Sequence, residues 1–429
     1  MTSLLPELLA TLNRDLNEGQ SLALRYLAED GNVFITGGAG TGKSHLLRAY
    51  LRRLDALKFP VLASTGAAAV LVGGRTFHSF FGLGILEGGP HAAVDRALKD
   101  RRVVRRLKKA QGFVLDEVSM IPGLAFAVAE RIASLVRDDP RPWGGLKVVA
   151  VGDFAQLPPV SRDSRQRDWA FLSKAWAATE FRSVHLTEMM RAKGDVDYCE
   201  FLADVRVGHA SERVCNLLEW RSKNPGDEIS EATALYAKKA DVDAINRRRL
   251  DKLTGTPRTY ETSYSGDERL RATLVAQAPV PEVLELKLGA LVMIRQNDPR
   301  GRWVNGSLGF VREMNATSVD VELMNGQQAQ IEATRFSILD AEGNERAAAR
   351  NLPLNLAYAV TIHKAQGATI DRAIVSLKQL WEPGQAYVAL SRVRSSEHLT
   401  VDGWDAKSIF ADPQVAAFHR SLIADTAET

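Results

Sequence analysis

Apolar positions in the first part of the chain fall into short blocks separated by polar or glycine-rich stretches. Leu16, Leu22, Leu24 and Leu27 recur among polar residues and predict a helix over residues 13–30. The run Asn32-Val33-Phe34-Ile35-Thr36 predicts a short buried strand. A glycine-rich turn follows, then a helix from about Lys43 to Leu54. Val61-Leu62-Ala63-Ser64 predicts a second strand, and the alanine-rich stretch Gly66–Val72 a helix. Phe113-Val114-Leu115-Asp116 and Lys147-Val148-Val149-Ala150-Val151 predict a third and fourth strand. Strands alternating with helices imply a parallel sheet and an α/β domain.

The pattern changes in the centre. Residues 240–253 predict a basic helix carrying Asn246-Arg247-Arg248-Arg249. From Leu286 to about Leu339 the apolar runs are short and β-like, and Asn305-Gly306 and Asn325-Gly326 supply turns. That pattern predicts a small antiparallel barrel. The α/β rhythm resumes with a helix over Ala357–Gln366 and a strand over Ala373–Leu377. The reading is two α/β units, the second interrupted by an all-β module.

Composition narrows the classes. In 429 residues, 45% are apolar and 25% charged, which excludes disorder as the main state. The charge balance is 55 − 52 = +3, so the sum neither announces nor excludes a nucleic-acid partner. Two cysteines, Cys199 and Cys215, rule out a disulfide framework, a four-cysteine zinc site and an iron–sulfur cluster. No apolar run spans a bilayer and the N-terminus lacks a secretory pattern, so no membrane association is expected. A cytosolic setting is the expectation.

Candidate chemistry begins at Gly37-Gly38-Ala39-Gly40-Thr41-Gly42-Lys43-Ser44, which fits G-x-x-x-x-G-K-[ST] between a predicted strand and helix. Glycines let backbone N–H groups wrap phosphates, Lys43 reaches the outer phosphates and Ser44 can ligate Mg²⁺. Strand 113–116 ends in Asp116-Glu117. A carboxylate at such a tip holds Mg²⁺, and a second beside it orients or deprotonates the attacking water. Two carboxylates with separate tasks point to hydrolysis. The next strand ends in Gly152-Asp153-Phe154-Ala155-Gln156-Leu157-Pro158-Pro159, where Gln156 is suited to sensing a γ-phosphate.

Together the phosphate loop, Asp116-Glu117-Val118-Ser119-Met120 and Gly152–Pro159 resemble the superfamily 1B helicases. The nearest type is the petite-integration-frequency (PIF) type, related to the RecD and Dda helicases. The resemblance implies a P-loop NTPase fold with two RecA-like motor domains in tandem. The first would cover 1–180 with a small wedge insertion at about 82–110. The second would be discontinuous, 181–282 and 350–429, with an SH3-like β-barrel at 283–349. Leu16-Asn17-Glu18-Gly19-Gln20 resembles the Q motif, so Gln20 inherits adenine recognition. Leu186-Thr187-Glu188-Met189-Met190-Arg191 resembles motif IV, whose arginine reaches the phosphates. Gly384–Arg392 resembles motif VI and makes Arg392 an arginine finger. Both arginines are expected on the second α/β unit, where a guanidinium offered across a domain cleft would make closure depend on ATP.

The resemblance also supplies a nucleic-acid track. Ser64–Ala69 resembles motif Ia and Gly74–Phe80 motif Ib, giving Thr65, Gly66, Thr76, Phe77 and His78 contacts to single-stranded DNA. Ala359–Gly367 resembles motif V, giving Thr361 and His363 such contacts. Gln366 and Gly367 would couple them to the ATP site. Ala365 departs from the family's usual serine. Asp197–Gly208 resembles the signature segment that follows motif IV. Arg101–Lys109 and Asn297–Ser307 are candidates for duplex contact, against plain readings as a solvated amphipathic face and a β-turn.

The sequence therefore reads as an ATP-dependent DNA helicase using ATP and Mg²⁺. Its partners would be single-stranded DNA and forked or partially duplex DNA. The resemblance implies 5′→3′ polarity, a monomeric protein in a bacterial cytosol or nucleoid, and settings in DNA repair, recombination and telomere maintenance. About 16 residues precede the Q motif and the chain ends shortly after motif VI, so little accessory extension is expected and no protein partner is named. The alternatives are an ATP-gated single-strand binding clamp and an RNA or RNA–DNA hybrid remodelling ATPase. A small-molecule kinase is disfavoured, since the motif Ia and V segments and both arginines would go unexplained.

Overall fold

The computed structural model describes residues 16–427, apart from 53, 65–74, 85, 87, 160–166, 193, 225–231, 279, 297, 299, 301, 304 and 340–344. The chain forms two compact units. Unit 1 comprises residues up to Lys193 together with those from Ala411 onward, and unit 2 comprises Gly194–Phe410.

Unit 1 is built on six parallel strands, β1 (Val33–Gly37), β2 (Val61–Ala63), β3 (Arg75–Thr76), β4 (Gly112–Asp116), β5 (Lys147–Val151) and β6 (Arg182–Leu186), in the order β3-β2-β4-β5-β1-β6. All five residues of β1 are buried. A parallel sheet covered on both faces demands such an unbroken apolar run. Val33 and Ile35 pack on one side with Leu24, Leu46, Leu47 and Val184. Phe34 packs on the other with Phe113, Phe126, Trp143 and Trp176. Helix Gly123–Arg137 covers that second side with Ala125, Phe126, Ala129, Ile132, Ala133 and Val136, the spacing of one helical face.

Two elements of unit 1 depart from expectation. Strand β6 extends the first sheet beyond residue 180, because Val33–Gly37 pairs in register with Arg182–Leu186. Helix Pro413–Ala427 belongs to unit 1, not to the second domain. Its Phe418 stacks on Phe171 at 4.3 Å and meets Phe154 edge-on at 5.5 Å. Trp169 Nε1 donates to Asp412 Oδ2 just before the helix, at 3.2 Å. Aromatic burial at the sheet, rather than chain order, decides where this segment docks.

Unit 2 starts its own sheet with β7 (Thr233–Tyr236). Ten strands follow: β8 (Arg258–Glu261), β9 (Ser263–Gly266), β10 (Val283–Leu286), β11 (Leu291–Ile294), β12 (Leu308–Met314), β13 (Ser318–Leu323), β14 (Gln328–Glu332), β15 (Thr334–Leu339), β16 (Glu345–Asn351) and β17 (Leu354–Leu356). Then β18 (Ala359–Thr361), β19 (Ala373–Val375) and β20 (Leu399–Val401) complete a parallel sheet in the order β18-β7-β19-β20. The inserted strands form antiparallel sheets of five (β14-β13-β12-β11-β17), three (β15-β16-β9) and two (β10-β8). Strands β13 and β14 alternate buried and partly or fully exposed residues, as half-buried antiparallel strands do. The β-rich part thus runs from Arg258 to Leu356, with the short helix Arg271–Gln277 inside it, wider than the 286–339 pattern. The helix expected over Ala357–Gln366 is instead β18 plus the short helix Ile362–Ala365. Buried Ala359 and Val360 are held in the sheet by pairing with Ala234 and Leu235.

Among the described residues no helix is long and apolar enough to cross a membrane.

Candidate nucleotide and single-strand sites

The parallel order of unit 1 brings the C-terminal tips of β1, β4, β5 and β6 to one edge, where α/β sheets bind ligands. The loop Gly38–Gly42 leaves β1 there and runs into helix Lys43–Leu51. Gly40 and Gly42 hold φ of 81° and 89°, a region L side chains disfavour. Packing enforces the same choice. A Cβ on Gly40 would lie 2.6 Å from Arg191 Cβ, and one on Gly42 would collide with Gln20 Nε2. The loop is a cradle that needs glycine at positions 40 and 42. Lys43 Nζ folds back to donate to the carbonyls of Gly37 at 2.7 Å and Gly38 at 2.9 Å. Thr41 Oγ1 donates to Gly38 O at 2.9 Å. Ser44 is exposed in the helix's first turn.

Gln20 braces this loop. With Asn17 it forms a capping box at the start of helix Glu18–Ala28, and its Nε2 donates to Thr41 O at 3.2 Å. Its amide is 3% exposed and engaged at both ends by the chain itself.

Arg191 lies in unit 1, not on the second unit as expected. The edge strand β6 delivers it: Met190 N and Arg191 N both donate to Gly40 O, at 2.9 and 3.1 Å. The motif IV segment is therefore a shoulder of the phosphate loop.

Asp116 ends β4, and its Oδ1 accepts from Glu117 N at 3.0 Å. Burial pushes its carboxyl above the ordinary carboxylate range, against the pull of that N–H and of the Lys43 and Arg48 charges. Glu117 itself adopts φ 52° and ψ 49°, the left-handed conformation, at the head of turn Val118–Met120. For a non-glycine residue that strain is of order 1–2 kcal/mol. The turn holds it because Val118 and Ser119 are fully buried. Gln156 follows β5 in a buried loop and is 5% exposed. Its N donates to Asp153 O at 3.0 Å. Asp153 is 0% exposed and faces His419 of the C-terminal helix at 3.6 Å. No sequence signal pairs those two residues; only the return of the C-terminal helix does.

The residues expected to contact single strands divide. Thr65 and Gly66 lie outside the described residues. Thr76 caps helix Phe77–Phe81, its Oγ1 accepting from Ser79 N at 3.1 Å. His78 is half-buried, and burial lowers its pKa, which favours the neutral ring. Phe77 is corrected: it is 0% exposed, packs on Phe81 at 4.9 Å and stacks parallel to Phe126 at 6.3 Å. It is a core residue with no face to give a base.

In unit 2, Thr361 caps helix Ile362–Ala365 by accepting from Lys364 N at 3.3 Å. His363 Nε2 meets Glu382 Oε2 at 3.1 Å and is about one-third exposed. Gly367 is exposed in the turn that follows. Arg392 is 1% exposed. Its Nε donates to Val388 O at 2.6 Å, Nη1 to Ala365 O and Ala368 O at 3.3 and 3.2 Å, and Nη2 to Ser391 Oγ at 2.6 Å. In this state it ties the motif VI helix to the motif V turn inside unit 2. The signature segment braces the same helix, Tyr198 OH donating to Leu390 O. Just before that segment, Asp195 Oδ2 accepts from Ser396 N and Oγ, in the turn beyond the helix, both at 3.0 Å. Asp195, which also caps Tyr198 N at 3.0 Å, shows in the sequence only as a helix-capping residue.

Known proteins resemble this chain over most of its length. The PIF1-like helicase family model matches residues 16–214. An ATP-dependent DNA helicase Pif1 from Bdellovibrio bacteriovorus is 48% identical over 408 residues, covering 95% of this chain and 92% of that relative. The Pif1 helicase of Candida albicans superposes with a TM-score of 0.81 at 31% identity, covering 95% and 99%. A Bacteroides Pif1 helicase in complex with ADP-AlF3 and ssDNA gives 0.70 at 28%, covering 96% and 98%. With near full-length identity of this order to a named helicase, the chain belongs to the PIF1-like helicase family.

Proposed function

We propose that this chain is an ATP-dependent DNA helicase that translocates 5′→3′ on single-stranded DNA and unwinds duplex DNA. The observation that carries the reading is the glycine cradle of Gly40 and Gly42 beside Lys43, with Asp116 and Glu117 at a tip of the same sheet. It is supported by the Bacteroides relative, whose complex holds ADP-AlF3 and ssDNA. The finer architecture we propose is two RecA-like motor domains in tandem, with the Arg258–Leu356 strands as an SH3-like insertion in the second.

The residues suit a magnesium nucleotide. Gly38, Ala39, Gly40, Thr41 and Gly42 would wrap its phosphates, and Lys43 would exchange its loop carbonyls for phosphate oxygens. Ser44 and Asp116 would hold Mg²⁺, and the raised Asp116 carboxyl fits a group that ionises fully beside a cation. The ion, when bound, neutralises phosphate charge and fixes its geometry. Glu117 orients and deprotonates water, its strained backbone aiming the side chain off the strand end. Gln156 senses the outer phosphate. Gln20 sets the height of the loop, and is assigned the adenine edge, a role that requires its amide to release Asn17 N and Thr41 O. Arg191 meets the phosphates beside Gly40. Arg392 is assigned as the arginine finger, a role that requires it to leave its carbonyl partners. Gly367 couples the motif V turn to nucleotide. Thr65, Gly66, Thr76, His78, Thr361 and His363 form the track, and Phe77 supports it from the core.

Strand displacement on 5′-tailed and 3′-tailed duplexes tests this. Unwinding of the 5′-tailed substrate with ATP and Mg²⁺ is expected. Strand-stimulated hydrolysis with no displacement on either substrate would favour the clamp. Displacement confined to RNA-containing duplexes would favour the remodelling ATPase.

A further inference from the structure

The helix Arg101–Lys109, singled out in the sequence for its cations, stands outside the site residues above. Val103 and Leu107 are 1% and 0% exposed and seat the helix in the core. Arg101, Arg102, Arg105, Lys108 and Lys109 are exposed. At ~100° per residue these five cations fall within an arc of ~120° centred opposite the buried stripe. Arg106 lies outside the arc and is structural: it donates to Ser79 O at 2.6 Å and sits over Phe80 at 5.5 Å. Asp100 caps the helix and meets Arg102 at 3.4 Å.

Such a face works against the helix that carries it. Arg101–Arg105 and Arg105–Lys109 are i,i+4 pairs of like charge, and Arg102–Arg105 and Arg105–Lys108 are i,i+3 pairs. Arg101 and Arg102 also stand at the helix's positive end. A polyanion relieves all of these at once. The nine residues rise ~12 Å, enough to meet two successive phosphates of one strand. The face holds no aromatic or amide side chain, so it lacks the stacking platforms that single-strand sites use. It can read phosphate charge and nothing else.

We infer that the exposed face of helix Arg101–Lys109 is a second nucleic-acid site, which grips the phosphodiester backbone of duplex DNA without sequence preference. This rests on the helicase reading and extends it: the single-strand track and the duplex grip are separate surfaces with separate salt dependence.

The test uses the full chain carrying Arg101→Gln, Arg105→Gln and Lys108→Gln together. Glutamine keeps helix propensity near that of Arg and Lys. Affinity for a blunt duplex and for oligo-dT is measured across a salt titration, with oligo-dT-stimulated ATPase in parallel. The duplex salt slope is expected to fall by about 2, at ~0.9 for each of the two phosphate contacts, with duplex affinity down tenfold or more. Oligo-dT affinity and stimulated ATPase should stay within about twofold, and the melting temperature should not fall, since repulsion is removed. The single variant Arg105→Gln should lose about 1 unit of slope, and the double variant Arg101→Lys with Arg105→Lys should keep the full slope. An unchanged duplex slope overturns the inference. So does an equal loss on oligo-dT, which would give the face to the tracking strand. Loss of polyglutamate binding with duplex binding intact would reassign it to an acidic peptide. Absence of oligo-dT-stimulated ATPase in the unsubstituted chain would sink the helicase reading while leaving the duplex slopes readable.

Discussion

Lys43 in unit 1 and Arg392 in unit 2 are cations assigned to the same phosphoryl chemistry, yet the two units hold them differently. Lys43 is half-buried at a helix start and bonds carbonyls five and six residues back. Arg392 is 1% exposed, and among its partners are carbonyls 24 and 27 residues back. Lys43 can trade its partners for phosphate oxygens while the loop around it stays braced by Gln20 and Arg191. Arg392 cannot leave without exposing the acceptors that join motif V to motif VI. One cation is bonded within its own loop, and the other ties two motifs together.

Substitutions at these residues separate the two roles. Lys43→Ala should lower strand-stimulated ATP hydrolysis by ~10³-fold, with single-strand binding and melting temperature nearly unchanged. Hydrolysis above a tenth of the parent rate would break the assignment of the loop. Arg392→Ala should lower hydrolysis by ~10²-fold and also destabilise unit 2 by about 3 kcal/mol, because buried acceptors lose their donor. Normal turnover with a lowered melting temperature would make Arg392 purely structural.

Glu117 sharpens the contrast within unit 1. Glu117→Gln should slow hydrolysis ~10²-fold at unchanged stability, while Glu117→Gly should slow it similarly and gain about 1 kcal/mol as left-handed strain is relieved. Equal melting curves for the two variants would show that the strain is not stored there. Phe77 gives the smallest functional effect. Phe77→Leu should leave single-strand affinity within about twofold while melting temperature drops, as a core change does. A large, selective loss of affinity with unchanged melting would return Phe77 to the track.

Legibility followed the length of chain each feature needs. The phosphate loop was readable because eight consecutive residues carry it, and β1 before it is an unbroken apolar run. Asp116-Glu117 was readable as a pair at a strand end, but the left-handed Glu117 was not, since nothing in its identity demands positive φ. Strand β6 gave only weak alternation, with two of its five residues buried, and its place beside β1 is a pairing choice. Arg191 went to the wrong unit for the same reason. The helix expected at Ala357–Gln366 failed because pairing with β7 outweighs the local alanine preference.

By itself the sequence determined the chemistry of contiguous motifs, the α/β rhythm and the presence of a β-rich insertion. Those depend on local spacing, and backbone geometry translates spacing directly into loops, helices and strands. Only tertiary structure decided that Arg191 stands against Gly40, that the C-terminal helix returns to unit 1 through Phe418, that Phe77 is core, and that Arg392 is tied to the motif V turn. Each of those is a choice among partners distant in sequence. Burial and hydrogen-bond satisfaction settle such choices together, over the whole of each unit, and no short window of sequence contains them.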